Sequence, residues 1–286
     1  MKKIIYFIEF LLVKFLFIIC KVVGYKSASN LGFFIGKNFG NFFRKKKSII
    51  ENLHKSKIVI NTSDNQFVNN VLGNYGRILA EYPFLKDFRK NKLEQFIRID
   101  GIENLDKIKI NNKPVVFISG HFNNFELMAM QIEKYGINLA AIYRPLNNVF
   151  LNKTMERIRT KYICRNQIKK GRSGTRQILE NLKKGNSIAL MIDQRVTEGI
   201  KIDFFGNLAS TTTIPAQIIK KYECDLVPIY IERLEKYNFK MYVSQPIAIN
   251  SEKSQKEISE HLNKILEKMI LKNPDQWIWT HNRWKE

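Results

Sequence analysis

A histidine and a glutamate stand five positions apart directly after a short apolar run. The run Val115–Ile118 is followed by Ser119-Gly120, then by His121 and, further on, by Glu126. On one continuous helix the two side chains would point about 140° apart, but a histidine in the preceding loop can meet a glutamate in the first helical turn. A carboxylate bonded to one ring nitrogen raises the basicity of the other. The pair therefore predicts a general base that takes a proton from an alcohol.

The same segment also has a purely structural interpretation. Asn123 and Glu126 have the spacing of a capping box, in which the two side chains bond to backbone N–H groups at a helix start. A second polar pair, Asp193-Gln194, follows the apolar run Ser187–Ile192, and it could equally form a turn or a cap. Because ligands of open α/β sheets bind outside the carboxyl ends of strands, both positions are candidates for a functional site.

The elements that must position these residues form an α/β pattern. Continuous apolar runs such as Val115–Ile118 and Ser187–Ile192 indicate strands buried on both faces of a parallel sheet. A helix is predicted from Ser173 to Lys184, ahead of the second run. Another helix, starting near residue 212 or 213, leads to the strand Leu226–Glu232. Phe239–Val243 predicts a hairpin partner of that strand, so we expect a mixed, mostly parallel sheet flanked by helices.

Helical spacing of apolar residues predicts three further helices. They cover Asn65–Phe88, the stretch from Leu127 to a cap at Gly136, and Lys256–Leu271. Neither an internal repeat nor a linker rich in Pro, Gly or Ser appears after residue 25. We therefore expect residues 25–286 to form one domain.

Residues 1–24 are predicted to be a membrane anchor helix. Ile4–Val23 would be about 30 Å long as a helix, close to the hydrocarbon thickness of a bilayer. Fifteen of these residues are Ile, Leu, Val or Phe, whereas Glu9 and Lys14 oppose insertion, so the insertion terms nearly cancel. The balance predicts a helix that either spans the membrane or lies in its interface. A buried core helix is the alternative.

The charge distribution indicates an anionic partner. The 286 residues include 48 Lys and Arg against 26 Asp and Glu, a net charge of +22, which suits an anionic polymer, an acidic protein or an anionic membrane. The basic cluster 44–47 after the anchor predicts a domain facing the cytoplasm. An apolar share of 44% excludes a wholly disordered chain. Three cysteines and four histidines are scattered, so neither a disulfide framework nor a metal site is predicted.

The segment Gly120–Glu126 resembles a known catalytic motif. Its sequence, GHFNNFE, is similar to the His-x4-Asp/Glu motif of glycerolipid and lipid A acyltransferases, in the Glu form of the lipid A late (lauroyl/myristoyl) acyltransferase family. Further blocks stand in the order of that family, namely Tyr143–Asn148 (YRPLNN), Met191–Gln194 (MIDQ), Phe204–Thr211 and Trp279–Lys285 (WTHNRWK). Two departures are Asn123, where the family usually has Gly, and Phe125, where it usually has Trp.

The resemblance implies a membrane-bound enzyme with a glycerol-3-phosphate acyltransferase-like fold. It would move a fatty acyl group from an acyl carrier protein thioester to a hydroxyl of a lipid A precursor (Kdo-lipid IVA type), at the inner membrane and in lipopolysaccharide biosynthesis. His121 would be the base and Glu126 its partner, while Arg144 would stabilise the oxyanion or bind a phosphate of the acceptor. No cofactor is implied. The implied substrate-binding residues are Asn124, Asn147, Asp193, Gln194, Phe205 and Gly206.

Three points stay open at this stage. The tryptophans Trp277, Trp279 and Trp284 suit a membrane interface, but burial in the core explains them equally well. An acyltransferase of the same fold could act on another lysophospholipid or glycolipid, with acyl-CoA as the donor. From a different class, a non-catalytic basic protein could bind membranes or nucleic acid, although no nucleic-acid-binding motif is present and we expect no such partner.

Overall fold

A seven-stranded sheet forms the centre of the molecule. The computed structural model of the chain describes residues 2–250 and 252–285. In that part of the chain the strands are β1 (Ile97–Asp100), β2 (Val116–Ser119), β3 (Leu139–Tyr143), β4 (Asn166–Lys169), β5 (Ser187–Met191), β6 (Ile200–Phe204), β7 (Asn207–Thr211), β8 (Leu226–Arg233) and β9 (Phe239–Val243). The sheet order is β1-β9-β8-β2-β5-β3-β4, while β6 and β7 form a separate antiparallel hairpin.

All neighbouring strands of the large sheet run parallel except the hairpin pair β8 and β9. Every residue of β2 is buried, as expected for the central strand of a sheet covered on both faces. The strands predicted at residues 115–118, 187–192 and 226–232 correspond to β2, β5 and β8. The predicted mixed, mostly parallel α/β sheet is therefore confirmed.

Helices flank the sheet and connect its strands. They are α1 (Lys2–Val23), α2 (Tyr25–Phe43), α3 (Lys46–Ser56), α4 (Asp64–Glu81), α5 (Leu85–Arg89), α6 (Ile102–Asn111), α7 (Glu126–Lys134), α8 (Val149–Ile158), α9 (Arg172–Lys183), α10 (Ile214–Tyr222) and α11 (Gln255–Lys272). The helix predicted over Asn65–Phe88 is interrupted after Glu81 by a 3-10 turn that contains Pro83. Proline has no backbone N–H to donate to the carbonyl four residues earlier, which explains the break.

Helices α2 and α4 pack unusually closely because glycines line both sides of their contact. A Cβ at Gly76 would lie only 1.9 Å from the carbonyl oxygen of Gly32, and one at Gly36 would lie 2.2 Å from that of Leu72. Larger residues at these positions would force the two backbones apart. The close contact fixes the end of α4, where Tyr82 enters the site described below.

Helix α1 lies against the body of the protein along one side only. The ring of Phe7 packs on that of Phe150 in α8, with 5.5 Å between the ring centroids. The Asn148 side-chain amide donates to the Tyr6 carbonyl and to Glu9 Oε2. Ten large apolar side chains of α1 are exposed, with Phe7 at the border of the contact with α8: Ile4, Ile5, Phe7, Ile8, Leu11, Leu12, Phe15, Ile18, Val22 and Val23. Across residues 2–250 and 252–285, no helix combines the length and the apolar character that a membrane crossing requires. The anchor over residues 1–24 thus stays a prediction.

Candidate active site

His121 and Asp193 meet at the carboxyl ends of two adjacent strands. Ser119 of β2 pairs with Met191 of β5, so the residues two positions further along each strand also come to lie opposite each other. His121 Nδ1 lies 2.8 Å from Asp193 Oδ1, and the His121 backbone N–H donates to Asp193 Oδ2 at 2.7 Å. The strand register alone therefore joins a histidine and a carboxylate that are 72 positions apart in the sequence.

The Asp193 carboxylate is buried and held by three donors. Besides the two contacts from His121, it accepts a hydrogen bond from Trp277 Nε1 at 2.9 Å. Burial by itself would raise the pKa of Asp193, but the nearby His121 and these hydrogen bonds outweigh it and lower the pKa below its ordinary value. Asp193 is thus an anion that fixes the imidazole by its Nδ1 edge. Within the described residues Nε2 has no hydrogen-bond partner, and it is the nitrogen available to a substrate.

Glu126 has a different partner. Arg159 donates to Glu126 Oε1 from Nε at 2.8 Å and from Nη2 at 2.7 Å, and the Tyr82 hydroxyl donates to the same oxygen at 3.1 Å. Both charged side chains are largely buried, with 8% and 15% exposed. The pairing of His121 with Glu126 predicted from the sequence is wrong, because the carboxylate bonded to the imidazole is Asp193.

The capping box considered for this segment is not formed either. Helix α7 begins at Glu126 itself, and Asn123 has a positive φ of 42°, a conformation that glycine adopts more readily. The Asn123 side chain donates to Gln276 Oε1 at 2.6 Å instead of capping α7. The loop after β2 is thereby tied to the segment that follows α11, and this tie accounts for asparagine where the resembling family usually has glycine.

A cavity of about 500 Å³ opens beside His121. Its interior lies between the ends of the central strands and α7, and it is lined by the apolar side chains Phe117, Met128, Ala129, Ala141, Ile163, Ala189, Leu190 and Met191. His121, Glu126 and Arg159 line the same cavity. The volume is typical of sites for small or elongated ligands, and the lining suits a hydrocarbon chain.

The rim of this cavity is basic. Arg44, Arg144 and Lys170 line it, whereas the only carboxylate among its described lining residues is Glu126, which Arg159 already neutralises. Partial burial lowers the pKa of Lys170, and the neighbouring Arg144 lowers it further. Two cations held near each other in this way favour an anionic ligand between them. Of the predicted substrate-binding residues, Asn147 and Gln194 also line the cavity.

Three predicted substrate-binding residues lie elsewhere. Asn124 is fully buried, and its amide donates to Glu81 Oε2 at 3.2 Å. Phe205 and Gly206 form the turn of the β6–β7 hairpin with φ values of 53° and 72°, and the Phe205 N–H donates to Glu267 Oε1. None of the three is among the described lining residues, so the structure does not bring them to the cavity beside His121, and their contact with substrate stays a prediction. Asp193, predicted at the acceptor site, instead holds His121.

The segment after α11 forms one wall of the site. Trp277, Trp279 and Trp284 are buried, so the alternative of core packing is the correct one and these residues do not form a surface tail. His281 lines the cavity, and burial lowers its pKa. Sequence reasoning missed Tyr82 and Arg159, which no motif distinguishes from other tyrosines and arginines. In the described part of the chain, no group of three or more His, Cys, Asp or Glu could hold a metal ion.

Comparison with known proteins identifies the family of the chain. The model of the family described as "Bacterial lipid A biosynthesis acyltransferase" matches residues 1–286. The chain is 24% identical over 215 residues to the lipid A biosynthesis palmitoleoyltransferase of Escherichia coli (strain K12), covering 73% of this chain and 68% of that one. It is 23% identical over 202 residues to the lipid A biosynthesis lauroyltransferase of the same organism, covering 68% and 63%.

Among solved structures, the chain is similar to the 1-acyl-sn-glycerophosphate (LPA) acyltransferase PlsC from Thermotoga maritima. The TM-score is 0.44 at 12% identity, covering 96% of this chain and 99% of that one. The family model, by contrast, extends over the whole sequence. The chain therefore belongs to the bacterial lipid A biosynthesis acyltransferase family and is an O-acyltransferase.

Proposed function

We propose that this protein transfers a fatty acyl chain from an acyl carrier protein thioester to a hydroxyl of a lipid A precursor of the Kdo-lipid IVA type. The observation that carries the proposal is the imidazole of His121, which Asp193 holds at the mouth of an apolar cavity with Nε2 unbonded among the described residues. A base beside a hydrocarbon-lined cavity is what attack of a lipid alcohol on an acyl thioester requires.

The reaction is a direct transfer. His121 Nε2 takes the proton of the acceptor hydroxyl as its oxygen attacks the thioester carbonyl. The negative charge of Asp193 stabilises the imidazolium that results. The tetrahedral intermediate then expels the thiolate, which takes the proton back from His121, so that an ester and a free thiol are released and the base is regenerated. A covalent acyl-enzyme is not needed.

Donors for the oxyanion stand at the start of α7. Phe125 and Glu126 line the cavity, and their backbone N–H groups have no acceptor within the described residues. Backbone donors at a helix start stabilise a developing oxyanion, and the loss of one such donor typically costs about 3 kcal/mol. Arg144 is exposed at the rim. Of its two predicted roles, we therefore favour contact with a phosphate of the acceptor.

The basic rim supports a phosphorylated acceptor. Arg44, Arg144 and Lys170 lie where a headgroup would sit while an acyl chain of the lipid reaches toward His121. Guanidinium groups bind phosphate oxygens in pairs, which lysine cannot do. In this arrangement Asn147 and Gln194 would contact the sugar or the ester-bearing part of the acceptor.

Attachment to the cytoplasmic face of the inner membrane belongs to the same proposal. Helix α1 exposes a long apolar face, and the neighbouring α2 adds Phe34, Ile35, Phe39 and Phe42. Lys2, Lys3, Lys14 and Lys37 lie among them, as expected of helices bound to an anionic leaflet. An orientation of α1 within the interface accommodates Glu9, whose carboxylate accepts a hydrogen bond from Asn148.

Mass spectrometry of the lipid product tests this function. The purified enzyme is incubated with Kdo-lipid IVA and an acyl carrier protein that carries one defined acyl chain. We expect one added acyl ester on the acceptor and free carrier thiol in equal amount. Acylation of a lysophospholipid instead, under matched conditions, would identify a different acceptor, and no transfer to any lipid would refute the proposal.

A further inference from the structure

A basic surface lies on the outer side of the edge strand, next to the cavity. From Val149 to Arg176 the chain has nine Lys or Arg and one Glu, a net of +8 out of +22 in about a tenth of the sequence. Lys153, Arg157 and Lys161 follow one another at intervals of four residues, along α8 and the π turn after it, and they line one shallow depression. We call these three residues and Lys169 of β4 the α8 basic face.

This face is connected to the cavity rim through one carboxylate. Glu156 accepts a hydrogen bond from the Tyr143 hydroxyl at 2.6 Å and contacts Lys169 Nζ at 3.1 Å. Tyr143 and Lys170 both line the cavity, and β4 is the edge strand paired with β3. A partner bound on the α8 basic face is therefore adjacent to the opening through which a thioester reaches His121.

Of the four cations of the face, only Lys169 is paired with an acid of the protein among the described residues, namely Glu156. Within the part of the chain that the structure describes, no carboxylate lies in ion-pair distance of Lys153, Arg157 or Lys161, and all three are exposed. Three like charges within one depression repel one another, so they are stabilised when an anionic surface covers them. Glu156 lines the same depression, and it neutralises Lys169 rather than any of these three.

We infer that the α8 basic face is the docking surface for the acidic protein that carries the acyl donor. This inference rests on the proposed function, since it assigns a surface to the thioester carrier of that reaction. A lipid surface is the less favoured occupant, because among the described side chains of residues 149–176 Val149 is the only large apolar one that is exposed. The apolar faces that suit a membrane are those of α1 and α2. Charge complementarity of this kind acts mainly on the rate of encounter between two proteins.

Charge reversal combined with two donors tests the inference. In Lys153→Glu/Arg157→Glu/Lys161→Glu, kcat/KM with the acyl carrier protein thioester is expected to fall about 30-fold, because attraction becomes repulsion at three contacts. With the same acyl group on N-acetylcysteamine, a small neutral thiol, kcat/KM should stay within twofold of the unmodified enzyme. With the unmodified enzyme, kcat/KM for the carrier should decrease as the salt concentration rises from about 50 to about 300 mM, because the Debye length shortens over this range. The reversal should abolish this decrease.

The matched control reverses three exposed lysines near the amino ends of the strands, away from the cavity at the carboxyl ends. Lys107, Lys109 and Lys113 lie on α6 and before β2, at the amino ends of the strands, and their reversal should leave both donors unaffected. Equal loss with both donors, or no loss with the carrier, overturns the inference. So does lost binding to phosphatidylglycerol vesicles with unchanged use of the carrier, which would identify a lipid surface. Absence of transfer by the unmodified enzyme with any donor instead refutes the proposed function.

Discussion

The two carboxylates at the cavity, Asp193 and Glu126, differ in the partner that each one binds. Asp193 holds a histidine whose second ring nitrogen is left for a substrate, whereas Glu126 is neutralised by the guanidinium of Arg159. Both pairs are short and largely buried. Only the His121–Asp193 pair can therefore take part in proton transfer at ordinary pH, because an arginine stays protonated and cannot accept a proton. The second pair shapes the cavity wall.

Removal of the imidazole should have the largest effect. His121→Ala is expected to lower kcat by about 10³-fold, because general base catalysis contributes on the order of 10²–10⁴. The rate is measured with a saturating acyl thioester. His54→Ala is a matched control, since His54 also lies 2.8 Å from an aspartate, Asp64, but at an exposed position away from the cavity. Turnover near that of the unmodified enzyme would contradict the assignment of His121 as the base.

Neutralising Asp193 should have the second-largest effect on kcat. Asp193→Asn keeps the size of the side chain but removes the charge that stabilises the imidazolium, so we expect kcat to fall about 10²-fold, the lower end of what general base catalysis contributes. The matched control is Asp64→Asn, which neutralises the aspartate bonded to His54. If Asp193→Asn changed kcat by less than threefold, Asp193 would be only a structural partner of the loop.

The Glu126–Arg159 pair should contribute to the free energy of unfolding. A double-mutant cycle of Glu126→Gln and Arg159→Met should give a coupling free energy of about 2 kcal/mol in chemical unfolding, because either single change leaves a buried group unpaired. The parallel cycle of Glu126→Gln with His121→Ala should give less than about 0.5 kcal/mol. The reverse ranking of the two coupling energies would restore the His121–Glu126 pairing indicated by the sequence.

The smallest effect on kcat is expected for Trp277, and it tests whether this residue positions Asp193 or only packs in the core. Trp277→Phe removes the hydrogen bond to Asp193, and Trp284→Phe removes an equivalent bond to the Phe204 carbonyl. Each change should cost about 1–2 kcal/mol of unfolding free energy. Only Trp277→Phe should also lower kcat, by about tenfold, because a hydrogen bond to a charged group is worth roughly that much. Equal kcat values for the two variants would limit Trp277 to a packing role.

Several parts of the fold could be predicted because their signals are local. Continuous apolar runs identified β2, β5 and β8, and the hairpin of β8 with β9 was predicted correctly. The strands β1, β3, β4, β6 and β7 were not predicted. Several of them mix polar and apolar residues, and β4 at the sheet edge has only one buried residue. The close contact of α2 with α4 was missed as well, since Gly32 and Gly76 act only when the two helices meet.

The site shows the same division. His121, Asp193, Asn147 and Gln194 were singled out because they follow strand ends or stand in a family motif, and the structure brings all four to one cavity or its wall. The choice of Glu126 as the partner of His121 relied on nearness in the sequence. Spatial nearness followed the register of β2 with β5 instead, and a motif of six residues carries no information about that register.

Residue types and local patterns identify which residues are able to do chemistry, the strand ends that present them, and the family to which the chain is similar. These follow from residue type, apolar periodicity and short motifs, all of which are local. The tertiary structure decided which carboxylate meets the histidine, which arginine meets the glutamate, and that the tryptophans are buried. Such pairings depend on strand register and on helix contacts between distant segments, and the free energy of burial that selects them belongs to the whole fold.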